Sequence, residues 1–178
     1  VEADGMAGND LGEVGPLDDG ADVLGRLVVG DVPGDDGGED VPGPNGVTGI
    51  IGWYVPEWMA TEYPDITNWE NLNKYASMFK TSESGDKGQF LASDPTFVTN
   101  DEALITNLNL DYKAVYSGSE AASVTSFQQA AKDKKPLIGY FYTPQWLFAE
   151  TKLVKIDFPA YTEGCDADPK TVACDYPP

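Results

Sequence analysis

The amino-acid sequence predicts an α/β fold over residues 47–178, a largely parallel sheet flanked by helices. Three observations predict it. Short apolar runs rich in Val, Ile and aromatic residues alternate with stretches of helical periodicity. Pro, Gly, Asn and Asp punctuate the joins. The spacing is that of β–α–β units, whose strands pair in parallel. A chain of 178 residues with 41% hydrophobic content can also build one genuine core.

The elements follow in order. VTGIIGWY (47–54) reads as a buried strand, and Pro56–Tyr63 as a short helix with Pro in its first turn. Pro64-Asp65 breaks that helix. Thr67 or Asn68 then caps a helix running to Phe79, with Trp69, Leu72, Tyr75, Ala76 and Phe79 at helical spacing. Thr81–Lys87 is a polar turn and Gly88–Ala92 a short strand. A helix over Asn100–Leu108 is capped by Thr99 or Asn100, and Asp111–Tyr116 is a strand. A helix over Ser119–Lys132 starts at Ser117-Gly118-Ser119. Pro136–Tyr142 is an apolar strand, Pro144–Glu150 a short helix and Leu153–Phe158 the last strand.

Residues 1–46 have a different composition. They hold 12 of the 19 Gly, 12 acids against the single Arg26, and no Phe, Tyr or Trp. Such a Gly/Asp-rich segment cannot bury enough apolar surface to offset its ordering entropy, so it stays outside the fold assignment. Its DVPGDDGGED stretch lacks the alternating oxygen ligands of a calcium loop.

Composition narrows function. The formal net charge of −19 argues against nucleic acid and anionic membranes as partners. No apolar run approaches the roughly 18 residues of a membrane span. Val1–Asn9 shows no signal-peptide pattern. The chain has no His, which removes the commonest general base and metal ligand; no metal site or cofactor is expected, and no enzyme. Paired carboxylates such as Asp94 and Glu120 are the remaining catalytic alternative, without supporting groups around them. Cys165 and Cys174 sit close together in a Pro/Asp-rich loop and read as a local disulfide formed in an oxidising compartment.

In open α/β sheets, ligands bind beyond the carboxyl ends of strands. Three such ends join aromatics to small polar residues: Ala92–Phe97, Tyr116–Glu120 and Phe141–Trp146. Free backbone N–H groups at helix starts suit an anion, and aromatic faces suit a quaternary ammonium. A zwitterion carrying both is a sensible ligand. The same aromatics would serve equally as half-buried packing residues.

GWYVPEWM (52–59), YPDITNWENLNKY (63–75), DKGQFLASDP (86–95), VYSGSEAA (115–122), GYFYTPQW (139–146) and the tail FPAYTEGCDADPKTVACDYPP (158–178) resemble, in that order, the glycine betaine-type substrate-binding proteins of ABC importers. The resemblance covers about 49–178 and implies one lobe of a type II periplasmic-binding fold. It implies an extracytoplasmic protein that holds a quaternary ammonium solute in an aromatic cage between two lobes. Its partners would be the transporter's membrane subunits. A missing lobe or a further copy of the chain would face this one. The family's aromatic–Thr–Pro–x–Trp motif places a cage aromatic at Tyr142, and the turn Asp94–Phe97 offers Phe97 as a second wall. Gln145 stands where some relatives carry a His that holds the ligand carboxylate. Ser119 and Trp146 complete the candidate ligand set with Asp94. The alternative is a structural or interaction protein that reuses the lobe without a solute.

Overall fold

The computed structural model describes residues 49–97 and 99–177. The Gly/Asp-rich segment 1–46 lies outside the described residues. Five strands form one sheet: β1 (Ile50–Pro56), β2 (Gly88–Ala92), β3 (Tyr112–Tyr116), β4 (Gly139–Thr143) and β5 (Leu153–Lys155), in the order β3-β2-β4-β1-β5. β2 is parallel to both β3 and β4, and β1 is antiparallel to both β4 and β5. β1 alone therefore opposes the direction of the other four, and the sheet is largely parallel.

The helices are α1 (Glu57–Glu62), α2 (Leu72–Tyr75), α3 (Asp101–Asn107), α4 (Glu120–Asp133) and α5 (Leu147–Glu150). Side chains alternate across the strands, so each face of the sheet has its own core. On one face Trp53, Val55, Phe90 and Tyr140 pack with Met59, Ile66, Leu72 and Leu104. On the other, Tyr54 and Phe141 pack with Val124 and Phe127 of α4 and with Leu147 of α5. No helix among the described residues is long and apolar enough to cross a membrane.

The stretch expected as one helix to Phe79 is instead broken into turns. Residues Trp69–Asn71 and Ala76–Phe79 are 3-10, flanking the four residues of α2. Asparagine side chains explain the break. Asn68 accepts from the Glu70 N–H, Asn71 donates to the Asp65 carbonyl, and Asn73 both accepts from Asp111 N–H and donates to Asn109 carbonyl. The Asn68 and Asn71 amides bond nearby backbone and so compete with a regular helix, while Asn73 ties the segment to the distant turn at 109–111. The burial pattern still serves packing, since Leu72, Ala76 and Phe79 are buried. Asn100, one of the two expected caps, does occupy the N-cap position of α3, but its side chain forms no capping bond.

The close approach of β2 and β4 depends on Gly139. A Cβ there would lie 2.6 Å from the Leu91 carbonyl oxygen. The parallel bridge of Leu91 to Gly139, with Leu91 N–H bonded to Ile138 carbonyl at 2.9 Å, leaves no room for one.

Beyond β5 the chain crosses the face that carries Trp53. Val172 and Cys174 are buried there, and Cys165 and Cys174 are joined as a disulfide across a separation of nine residues. Asn107 anchors this tail by donating to the carbonyls of Pro169 and Val172. Lys155 pairs with Asp175, and the Tyr176 hydroxyl donates to Asp101.

Candidate functional site

Because β2, β3 and β4 run in parallel, their carboxyl ends share one edge of the sheet. The loops after them therefore lie side by side. β1 runs the other way, so its first residue, Ile50, meets Thr143 at the same edge. Among the described residues the exposed large apolar side chains are Ile50, Phe97, Tyr116 and Trp146. Each belongs to a different strand or the loop after it, and all four stand at this edge. This is the end of the sheet at which open α/β folds hold ligands, so it is the candidate site.

The loop after β4 and the start of α4 meet through Glu120. Tyr142 Oη donates to Glu120 Oε2 at 2.9 Å, and Gln145 Nε2 donates to Glu120 Oε1 at 2.8 Å. Gln145 Oε1 accepts from the Leu147 N–H at 2.6 Å, which orients its amide. Tyr142 is half-buried, and its hydroxyl is pushed up to about 12, first by burial and then by the Glu120 carboxylate. It stays a neutral donor with an aromatic face. Ser119 caps α4 by accepting from the Ala122 N–H at 3.2 Å. Ser117, two residues earlier, shares a 2.7 Å hydrogen bond with Ser123 and pins the β3-to-α4 loop.

The loop after β2 is separately braced. Asp94 Oδ1 accepts from the Thr96 N–H at 2.8 Å and its hydroxyl at 2.7 Å, while the Phe97 N–H bonds the Asp94 carbonyl. Those two donors hold the Asp94 carboxyl below its ordinary range. Asp94 thus shapes the turn that presents Phe97, and its carboxylate is engaged locally.

The structure brings Tyr142, Gln145 and Ser119 together around Glu120. It sets Trp146, Phe97 and Asp94 along the same edge. Glu120 is the residue whose role the sequence did not reveal. A Glu in the first turn after a Ser cap is ordinary helix chemistry, and nothing local marks it as the meeting point of two loops. Tyr116, whose hydroxyl donates to Glu102 at 3.0 Å, is a second addition to the rim.

A depression of about 460 Å3 lies elsewhere, along α3 and β3, lined among others by Lys87, Glu102, Tyr112 and Lys113. It holds none of the six candidate ligand residues. An open edge that only a facing surface would close does not form a cavity by itself, so the grouping of side chains is the better guide to the site.

The model for the substrate-binding domain of the ABC-type glycine betaine transport system matches residues 33–177. A glycine betaine/L-proline-binding protein, ProX, from Borrelia burgdorferi superposes with a TM-score of 0.51 at 20% identity, over 61% of this chain and 38% of its own. An ABC-transporter choline-binding protein in complex with choline gives 0.49 at 13% identity, over 69% and 40%. Lactococcal OpuAC, closed around glycine betaine, gives 0.45 at 20%, over 71% and 41%. This chain spans about two fifths of each. The ProX superposition shows the periplasmic-binding lobe fold. The family match over residues 33–177 establishes that the chain belongs to the substrate-binding domains of ABC-type glycine betaine transport systems.

Proposed function

We propose that residues 47–178 form one lobe of an extracytoplasmic solute-binding protein that captures a small methylated onium compound for an ABC importer. The observation that carries this reading is that Tyr142, Trp146 and Phe97 lie at or just beyond the carboxyl ends of the neighbouring parallel strands β4 and β2, in a chain of this family. A methylated ammonium is poorly hydrated and gains from aromatic faces by cation–π attraction, worth about 0.5–2 kcal/mol for each ring according to its desolvation. Tyr142 contributes a face while its hydroxyl is tied to Glu120, so the ring is held before the ligand arrives. Trp146 and Phe97 are exposed on this lobe alone. A second lobe, or a second copy, facing this edge would cover them and exclude water from the ligand. The disulfide and the absence of His suit a binding module in an oxidising compartment. No step of bond making is assigned to it.

Calorimetry on the full-length protein with glycine betaine and choline tests the reading. Binding in the micromolar range is expected for at least one of them. Tyr142→Ala should weaken it by about tenfold or more, as loss of one desolvated cation–π partner implies. Equal binding by this variant would remove Tyr142 from the site.

A further inference from the structure

We infer that this site selects an onium cation that has no carboxylate of its own, and that Glu120 sets the preference. The inference rests on the solute-binding reading above and narrows its substrate class.

A zwitterion such as glycine betaine needs a positive or hydrogen-bond-donating partner for its carboxylate. The two strongest candidates for the task at this edge are already engaged by the protein itself. The N-terminus of α4 is the natural anion site, with fourteen residues of helix behind it. Its first residue is Glu120, so the protein's own carboxylate stands there. Gln145, the other donor, gives its Nε2 to that same carboxylate and its Oε1 to a backbone N–H.

The charge balance points the same way. The three loops Ser93–Phe97, Ser117–Glu120 and Thr143–Trp146 contain Asp94 and Glu120 and no Lys or Arg. No Lys or Arg occurs anywhere in 88–112, 114–131 or 136–151. The ion pairs among the described residues join Lys74 to Asp65, Lys134 to Glu62, Lys135 to Asp133, Lys152 to Glu57 and Lys155 to Asp175. None includes Glu120. Its partners are the neutral Tyr142 hydroxyl and Gln145 amide, so its negative charge is solvated by dipoles without being cancelled. That leaves a carboxylate at the hydroxyl end of the Tyr142 ring, an arrangement that favours a cation beside the ring and repels a second carboxylate.

Tyr142 carries the coupling. Its hydroxyl donates to Glu120 Oε2, which draws electron density toward the ring and strengthens its negative face for an onium group. Glu120 therefore acts on the cation through space and through Tyr142.

The test is competitive calorimetry on the full-length protein with choline and with glycine betaine, for wild type and Glu120→Gln. Gln keeps the size and an acceptor for Tyr142 while removing the charge. Wild type should bind choline about tenfold or more tighter than glycine betaine, the scale of one uncompensated charge in a partly dry site. Glu120→Gln should lose about tenfold in choline affinity and bring the two ligands within about threefold of each other. Thermal melting of the variant, unchanged within a few degrees, separates this from misfolding. A wild type that prefers glycine betaine, or a variant with the wild-type ratio, overturns the assignment of Glu120 while leaving onium binding intact. Binding of neither ligand overturns the solute-binding reading itself, and this one with it.

Discussion

Asp101 is 2% exposed, and both of its strong donors, Trp53 Nε1 at 2.6 Å and Tyr176 Oη at 2.5 Å, reach the same oxygen, Oδ1. Oδ2 has no close hydrogen-bond partner among the described residues. Burial pushes this carboxyl up, against the lowering pull of Tyr176, Trp53 and Thr99. The native state therefore keeps its proton to higher pH than the unfolded chain, which releases it near 3.8. Stability from this group is complete below that pH and is lost as pH rises through the raised folded value. Asp65, Asp94 and Asp133 are shifted the other way by exposed hydrogen bonds, so their contributions change below 3.8. Asp101→Asn retains the acceptor for both donors and removes the charge. Urea unfolding across a pH series should show the Asn variant gaining on wild type above 3.8, with a level difference below it. A pH-independent difference would mean that Asp101 is not the titrating group. The sequence offered no sign of this residue's burial, because an acid in the first turn of a helix normally faces water. Its partners lie 48 and 75 residues away.

At the scale of elements, α4 shows how far local chemistry reaches. The Ser cap was legible because a hydroxyl before a helical run satisfies a free N–H within three residues. Ser119→Ala should cost about 1 kcal/mol in chemical denaturation. The other end of α4 is closed by Lys134 at φ 51°, a left-handed position where a Cβ is unfavourable. Lys134→Gly should stabilise by a few tenths to about 1 kcal/mol, since the ion pair it forfeits with Glu62 is exposed and weak. Gly139 belongs to the opposite case. Its neighbour Leu91 comes from another strand, so the need for glycine is invisible in the local sequence. Gly139→Ala should part β2 from β4 and cost roughly 2 kcal/mol or more in the same measurement, because the clash is with backbone. The helix expected to Phe79 failed for a related reason. The apolar spacing was correct, but three Asn side chains found backbone partners, two of the bonds made by Asn73 reaching as far as Asn109 and Asp111.

For the whole molecule, the tail from Phe158 to Pro177 closes one core. It buries Val172 and Cys174 and brings Tyr176 to Asp101. Reducing the disulfide, or replacing both cysteines with Ser, should lower unfolding free energy by about 2–3 kcal/mol, the chain-entropy scale for so short a loop. Guanidinium unfolding with and without reductant measures it; an unchanged midpoint would place the tail's anchoring in its hydrogen bonds instead. The sequence by itself determined the strand and helix alternation, the Ser cap, the cysteine pairing and the family, because each depends on spacing along the chain or on motifs read in order. Only the tertiary structure decided that β1 runs against its neighbours, that four exposed apolar side chains line one edge, and that Glu120 meets Tyr142 and Gln145. These depend on which distant segments become neighbours in space. Periodicity reports which face a residue takes, but not what stands opposite it.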